Sequence, residues 1–201
     1  MMILRSSAAS PFGRKVKIAI ALLGLTDQVK VEATDTNDAG DSIRQQNPLG
    51  KIPTLVLENG ASLYDSRVIL EYLDSVAGGG KIIPNGPARF DALVLQALAD
   101  GLMDAALLQV YEGRYREADK HEPKWLTHQA GKVERALAAL EPSPPSLPAT
   151  PHVGVIALAC ALGYLDLRFN GEWRKGHPNL VAFLDNFAGR VPAFEETRFK
   201  G

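Results

Sequence analysis

The chain has 201 residues, of which 46% are hydrophobic, and its formal net charge is −1. This apolar fraction is ordinary for a globular protein and too high for a disordered one. The 22 basic and 23 acidic side chains leave no basic excess, which argues against a nucleic-acid partner. The single cysteine, Cys160, excludes an intrachain disulfide and a multi-cysteine zinc site.

No targeting or membrane-spanning segment is predicted. The first five residues lack the basic start and the apolar stretch of a signal peptide. The longest uncharged apolar run, 153–165, is too short to cross a bilayer and suits a helix in a protein core. We therefore expect a soluble, cytoplasmic protein.

The first 77 residues alternate strand and helix signals. Their order is βαβ, a connecting segment and then ββα, which predicts a parallel strand pair followed by an antiparallel hairpin. Asn59 and Gly60 form the predicted hairpin turn. The first predicted strand contains Ile3 and Leu4, the others cover 29–33, 54–57 and 61–64, and the predicted helices cover 11–23 and 66–76, with a short polar helix or turn at 41–46.

The stretch 78–87 is rich in glycine and proline, which indicates a linker between two domains. Beyond it the apolar residues recur only at helical spacing. The fold class expected is therefore an α/β domain over 1–77 and an all-helical bundle over 88–201. The predicted helices cover about 88–116, 126–140, 153–169 and 180–187, and the proline-rich segment 142–151 is predicted to be a surface loop.

Three short motifs occur in a fixed order in the first half. SPFGRK (10–15) lies at a strand-to-helix turn, NPLGKIPTL (47–55) precedes a strand, and YDSRVI (64–69) begins a helix. Two more, GYLD (163–166) and HPNL (177–180), lie in the helical half. Together they resemble the cytosolic glutathione S-transferases. The resemblance implies a thioredoxin-like glutathione-binding domain followed by a helical domain that lines the electrophile site.

Ser10 begins a predicted helix, and Pro11 follows at the first helical position. A serine there is a common helix cap, and capping is the structural alternative for this residue. The resemblance places Ser10 at the family's catalytic position, where its hydroxyl would stabilise the glutathione thiolate. Ser6 and Ser7, at the end of the first strand, are rival candidates. A hydroxyl cannot form a mixed disulfide, so a serine favours conjugation over disulfide reduction.

The resemblance assigns the peptide backbone and charged ends of glutathione to the other two motifs. It implies a cis Ile52–Pro53 bond that turns the Ile52 backbone towards the cysteinyl residue of glutathione, and it places Lys51 near the glycyl carboxylate. It also implies that Ser66 binds the γ-glutamyl carboxylate at a helix start and that Asp65 holds the ammonium group. The alternatives are an ordinary loop, a surface lysine and a helix cap.

The long predicted helix carries one face that suits the wall of a substrate pocket. Leu107 also suits a core or a dimer face, and Arg114 also suits an ion pair with a nearby carboxylate. An apolar electrophile with polar or negative groups is predicted to contact Phe12, Met103, Leu107, Tyr111 and Arg114.

The apolar helix that begins near residue 153 lacks the Ser/Thr and Asp capping pair that the family usually has there. His152 and Val155 stand at those positions. We predict that His152 or Thr150 supplies a replacement cap. Cys160, in the same helix, is predicted to be a buried and unreactive side chain.

The resemblance implies a glutathione S-transferase that conjugates glutathione to a largely apolar electrophile, an activity typical of detoxification. Glutathione would be a co-substrate, no metal or other cofactor is expected, and the family implies a homodimer. Two alternatives stay open. One is a glutathione-dependent isomerase, dehalogenase or peroxidase on the same fold, and the other is a non-catalytic binding or regulatory protein.

Overall fold

The computed structural model of the protein describes residues 1–200. Its first half has the predicted order of strands and helices, and the predicted boundaries differ from the observed ones by at most two residues. The elements are β1 (Met2–Ser6), α1 (Pro11–Leu22), β2 (Val29–Ala33), α2 (Ile43–Gln46), β3 (Thr54–Val56), β4 (Ser62–Leu63) and α3 (Ser66–Val76).

The four strands form one sheet in the order β2-β1-β3-β4. β1 is parallel to β2, and β3 is antiparallel to both β1 and β4. This arrangement confirms the predicted parallel pair and the predicted hairpin. The hairpin turns at Gly60, whose φ of 84° is in the left-handed region that favours glycine.

The second half contains helices and, among residues 88–200, no strand. The segment 142–151 has neither helix nor strand, as predicted. The fold is therefore a thioredoxin-like domain with a small mixed sheet, followed by a helical domain. The proposed limit of the second domain includes Gly201, which lies outside the described residues. The helices are α4 (Ala88–Tyr115), α5 (Pro123–Leu140), α6 (Val153–Phe169), α7 (Pro178–Arg190) and α8 (Pro192–Glu196).

The short helix α8 was not predicted. It is a single turn that begins at Pro192, directly after α7 and the connecting residue Val191. Phe194 in this turn is 2% exposed and packs edge-to-face on Phe187 of α7. A helix this short has too few residues to show a periodic apolar pattern, so its position depends on tertiary packing.

α6 occupies the centre of the helical domain, where residues 153–162 are all buried. Its start is capped by His152, whose Nδ1 accepts a hydrogen bond from the Gly154 N–H at 3.2 Å. This bond confirms the predicted cap. Burial lowers the pKa of His152, which favours the neutral imidazole that the bond requires.

α1 connects the two domains, because it packs on α3 in the first domain and on α6 in the second. Lys15 is fully buried, and its Nζ lies 2.5 Å from Asp100 Oδ1 on α4. Arg14 is also buried, donates a hydrogen bond to the Phe194 carbonyl and stacks 3.9 Å from that ring's centroid. These contacts fix the helical domain against the helix that follows β1.

α4 is long and apolar enough to cross a bilayer by length and composition alone. In the structure it packs against α5 and α6, as a core helix of a soluble fold does. Its outer side nevertheless exposes large apolar side chains, since Phe90 and Val94 are 69% and 68% exposed. With Leu98 they form an apolar stripe at a spacing of four residues.

Candidate active site

Ser10 begins α1 beside the end of β1. Its side-chain oxygen accepts a hydrogen bond from the Gly13 N–H at 3.1 Å, and Pro11 occupies the first turn. A side chain at Gly13 would displace the Ser6 hydroxyl, because a Cβ at that position would lie 2.1 Å from Ser6 Oγ. The hydroxyl of Ser10 acts only as an acceptor in the cap, so its own proton is free to be donated to a ligand. Capping and thiolate stabilisation are therefore compatible roles.

The two rival serines differ in accessibility. Ser6 is 1% exposed, and its hydroxyl donates to the Ser7 carbonyl at 3.3 Å. Ser7 and Ser10 both line a cleft of about 550 Å³ between the domains. Of these two, Ser10 alone stands at the positive end of a helix, where an anion is favoured.

The loop before β3 presents Lys51 and Ile52 to the cleft that Ser10 lines, whereas Pro53 lines the adjoining smaller cavity at the start of α3. The Ile52–Pro53 peptide bond is cis. The carbonyl of Lys51 accepts hydrogen bonds from Asn47 Nδ2 at 3.0 Å and from Thr54 Oγ1 at 2.9 Å. These bonds fix the loop from within and leave the Lys51 side chain exposed at the cleft.

The start of α3 forms a small corner of the cleft, with a volume of about 120 Å³. Asp65 caps α3 by accepting the Arg67 N–H at 3.0 Å, and it also lies 3.5 Å from the Arg67 guanidinium. Ser66 follows as the first helical residue and is 2% exposed. Because the first N–H groups of a helix lack partners within it, this corner suits a carboxylate.

Two carboxylates of α4 complete this corner, and neither was predicted from the sequence. Asp100 pairs with the buried Lys15, and its second oxygen lies 3.6 Å from Arg67 Nε. Burial raises the pKa of Asp100, and the charge of Lys15 opposes that shift. Burial also raises the pKa of Asp104, and the nearby Asp100 adds to this effect. The one feature of the sequence that points to Asp100 and Asp104 is their spacing of four residues, which places both carboxylates on one face of the predicted helix.

The larger part of the cleft continues from this corner and lies between α1, α4 and α6. The two parts adjoin each other, because several residues line both of them. The shared residues are Phe12, Lys51, Ile52 and Asp104.

The cleft-facing stripe of α4 includes most of the predicted electrophile contacts. Leu107, Tyr111 and Arg114 line the large part of the cleft. Met103 does not, because it is fully buried in the core. Asp104 faces the cleft instead. The cleft-facing stripe is centred on Leu107 and Tyr111, and Met103 lies at the edge of this stripe, where side chains turn into the core.

Comparisons with known proteins identify the family. The family described as "Glutathione S-transferase, N-terminal domain" matches residues 9–76. A protein of Escherichia coli (strain K12), described as "Uncharacterized GST-like protein YibF", is 35% identical over 194 residues, which cover 94% of this chain and 95% of that protein. This chain belongs to the glutathione S-transferase family.

Solved structures of glutathione S-transferase family members extend the likeness to the whole fold. One from Pseudomonas fluorescens Pf-5, solved with bound glutathione, is 42% identical with a TM-score of 0.90, and the match covers 98% of both chains. A second structure from the same organism holds S-(propanoic acid)-glutathione, with 42% identity, a TM-score of 0.88 and coverage of 98% and 99%. The resemblance to this family is thereby confirmed at the level of fold.

In this glutathione S-transferase family member, α6 and the loop after β2 contribute lining residues that were not predicted. Tyr164 and Arg168 are one turn apart near the end of α6, and both line the large part of the cleft, as does Thr36. The motif at 163–166 indicated the family but gave no role to its tyrosine. α6 is apolar over most of its length, so its periodicity does not reveal which side faces a ligand.

A smaller cavity of about 170 Å³ lies behind Ser10, lined by Arg14 and Cys160 among others. Cys160 is fully buried, and burial raises the pKa of its thiol to about 11. The thiol is therefore protonated at neutral pH and is a poor nucleophile, which agrees with the prediction of an unreactive side chain. Among residues 1–200, no group of three His, Cys, Asp or Glu side chains is placed to hold a metal ion.

Proposed function

We propose that the protein is a glutathione S-transferase that joins the glutathione thiolate to an electrophilic carbon of a second substrate, with Ser10 as the catalytic residue. One observation carries the proposal. The Ser10 hydroxyl stands at the positive end of α1 and lines the large part of the cleft, which adjoins the corner at α3 and shares four lining residues with it.

Glutathione would lie with its γ-glutamyl end in the α3 corner. Ser66 and the free N–H groups of the first turn would bind its α-carboxylate, and Asp65 with Asp104 would accept its ammonium group. The Ile52 backbone would pair with the cysteinyl residue, and Lys51 would meet the glycyl carboxylate as a point charge. This pose brings the thiol to Ser10.

The role of Ser10 is to lower the pKa of the glutathione thiol. Its hydroxyl would donate a hydrogen bond to the sulfur, and a bond to the charged form favours ionisation. The α1 dipole acts in the same direction. The thiol proton leaves to solvent, the sulfur forms a bond to carbon, and the leaving group or the adjacent carbon takes the electron pair.

Two further parts of the proposal rest on the fold and the comparisons. The glutathione and glutathione conjugate bound to the Pseudomonas fluorescens proteins support a glutathione site in this chain. The apolar stripe of Phe90, Val94 and Leu98 offers a surface for a second copy, which supports a homodimer. We also propose a cytoplasmic location and a role in detoxification.

Ultraviolet absorbance of the bound thiolate tests this proposal without knowledge of the electrophile. We expect wild-type protein to lower the pKa of bound glutathione, and Ser10→Ala to return it towards the value of free glutathione. Ser10→Ala also removes a helix cap, which costs about 1 kcal/mol, whereas Ser10→Gly costs a few tenths. Both variants lack the hydroxyl but differ in the stability they lose. An equal effect on the thiol pKa would therefore assign that effect to the hydroxyl and not to the lost helix cap.

Ser7→Ala is the matched control, because Ser7 lines the same cleft without standing at the helix start. If Ser7→Ala abolishes the lowering of the thiol pKa and Ser10→Ala does not, the role belongs to Ser7. An unshifted thiol pKa in the wild type, or no binding of glutathione, would contradict the proposal and favour a non-catalytic protein. If the pKa falls, recovery of free glutathione after turnover separates an isomerase from a conjugating enzyme.

A further inference from the structure

The large part of the cleft carries two arginines that have no anionic partner among residues 1–200. Arg114 on α4 and Arg168 on α6 both line this space. We propose that these two residues bind a carboxylate of the second substrate, so that the electrophile is an organic acid with an apolar body. This inference rests on the proposed function and names the substrate class that it leaves open.

Arg168 is the more deeply placed of the two. It is half-buried in the last turn of α6, and its Nε is buried without a hydrogen-bond partner among residues 1–200. Its guanidinium lies 5.7 Å from the centroid of the Tyr164 ring. A buried donor on a permanently charged group is costly to leave unpaired. Because Nε is covered by protein atoms, a carboxylate in the cleft would instead meet the terminal nitrogens of Arg168 and pair with the charge of its guanidinium.

Arg114 is the more exposed of the two and lies on α4, which packs against α6. Its guanidinium lies 5.3 Å from the centroid of the Tyr111 ring, and within residues 1–200 it forms no ion pair. Its neighbour Arg116 by contrast pairs with Glu112 at 3.6 Å. An arginine on this stretch of α4 can therefore find a carboxylate one turn away, as Arg116 does, whereas Arg114 does not.

The charges in the cleft are divided between its two ends. Asp104 is the one carboxylate that lines the large part among the described residues, and it lies towards Lys51 and the glutathione corner. It precedes Arg114 by ten residues of α4, which is about 15 Å along a helix. The arginine end is therefore positive and faces no acidic side chain of the lining, so it favours an anion.

The space between these ends suits an apolar body. Phe12, Leu107 and Leu108 line it. Burial raises the pKa of Tyr111 and of Tyr164, so both phenols stay neutral and can donate a hydrogen bond to a carboxylate oxygen. Two guanidinium groups and two phenols supply the planar, charge-assisted contacts that carboxylates form best.

The arginines take no part in the bond changes. With an α-halo or benzylic halide acid, the glutathione sulfur forms a bond to carbon, and the carbon–halogen bond breaks. The halide leaves with the electron pair, and the proton of the thiol goes to solvent. Arg114 and Arg168 hold the carboxylate, which orients the carbon towards the sulfur near Ser10.

Matched glutathione conjugates test the inference by equilibrium binding. Isothermal titration would compare S-carboxymethyl- with S-carbamoylmethylglutathione, and S-(para-carboxybenzyl)- with S-(para-carbamoylbenzyl)glutathione. Each pair differs only in the charge of the terminal group. For at least one pair we expect the acid to bind wild type about tenfold more tightly than the amide, as charge-assisted hydrogen bonds imply.

We expect Arg114→Gln and Arg168→Gln each to reduce this preference and the double variant to abolish it. The amides should lose less affinity than the acids, because a neutral amide oxygen accepts weaker hydrogen bonds from arginine, and unmodified glutathione should lose the least. Lys81→Gln, which removes an exposed charge outside the cleft, should keep the preference. Arg114 is exposed, so Arg114→Gln should fold normally. It therefore tests the inference even if Arg168→Gln disturbs the packing of α6.

Three results would overturn the inference. They are equal binding of acid and amide at both lengths, a preference that survives the double variant, and a loss of affinity for glutathione itself equal to the loss for the acids. The last would assign the arginines to glutathione. Turnover of para-(chloromethyl)benzoate is measured separately, so a failure of catalysis with intact acid preference contradicts the proposed function and not the acid site.

Discussion

At the scale of single residues, His152 and Ser10 each begin a helix with a side chain that accepts a backbone N–H. The two caps differ in their dependence on pH. A serine oxygen keeps its lone pairs at every accessible pH. Protonated imidazole has donors at both nitrogens, so His152 can cap α6 only while its ring is neutral.

We predict that His152→Ala lowers the free energy of unfolding by about 1 kcal/mol near neutral pH, the usual cost of a lost cap. Burial lowers the pKa of His152 below its ordinary value of 6.5, so the unfolded chain takes up a proton first as the pH falls. The stability that His152 contributes is complete above about pH 6.5 and is lost as the pH falls through the lowered pKa of the folded state. Urea unfolding at neutral and mildly acidic pH measures this loss.

His152→Asn provides the control for this prediction, because asparagine caps helices without titrating. Its stability should fall less on acidification than that of the wild type. An equal fall in the two proteins would show that protonation of His152 is not what weakens α6.

At the scale of helices, α4 and α6 approach closely where Gly154 faces the backbone of α4. A Cβ there would lie 2.7 Å from the Ala92 carbonyl oxygen and 2.9 Å from Leu95 Cβ. Backbone cannot yield as a flexible side chain can. The first turn of α6 therefore depends on the absence of a side chain at this position.

We predict that Gly154→Ala destabilises the protein by about 1–3 kcal/mol, the usual cost of overpacking a core. Gly113→Ala is the matched control, since Gly113 lies in α4 with nothing within 4 Å of an added Cβ. Alanine should stabilise there by up to about 1 kcal/mol through helix propensity. Thermal unfolding of both variants decides the matter, and a neutral Gly154→Ala would mean that the two helices can separate at no cost.

The limits of prediction from the sequence also appear at this scale. α3 begins where predicted because Asp65 is a recognisable cap, and α6 begins where predicted because its apolar run starts directly after His152. Met103 was predicted to contact a substrate, but Asp104 lines the cleft and Met103 does not, because adjacent residues on α4 differ only in rotation about the helix axis. That rotation is set by packing on α6. Arg168 reaches the cleft for the same reason, through contacts distant in sequence.

At the scale of the whole molecule, the two domains meet around a buried ion pair. Lys15 is fully buried, Asp100 is 5% exposed, and they come from α1 and α4 respectively. Burial lowers the pKa of Lys15 and raises that of Asp100, and the partner's charge opposes each shift. Removing both charges from water costs free energy that offsets most of their attraction, so the intact pair adds little net stability. Removing one partner alone is strongly destabilising, because it leaves the other charge buried and unpaired.

We predict that Lys15→Met lowers the free energy of unfolding by about 3–5 kcal/mol, because Asp100 is left buried with only the solvent-exposed Arg67 beside its second oxygen. The double variant Lys15→Met/Asp100→Asn should recover most of this loss, since no charge is then left unpaired. Chemical denaturation of the single and double variants forms a double-mutant cycle. A double variant as unstable as Lys15→Met would show that lost packing, and not lost charge compensation, is responsible.

The cleft is assembled from both domains, and each contributes a different kind of surface. The corner at α3 is built from a loop and a helix start of the first domain together with Asp100 and Asp104 of α4, whereas the far wall consists of side chains on α4 and α6. On the proposed function, replacements on that wall would alter which second substrates are accepted and would leave the contacts to glutathione in place. Natural variation can therefore diversify one specificity while the other is inherited intact, and a library confined to positions 107, 111, 114 and 168 would sample new acceptors on an unchanged reaction.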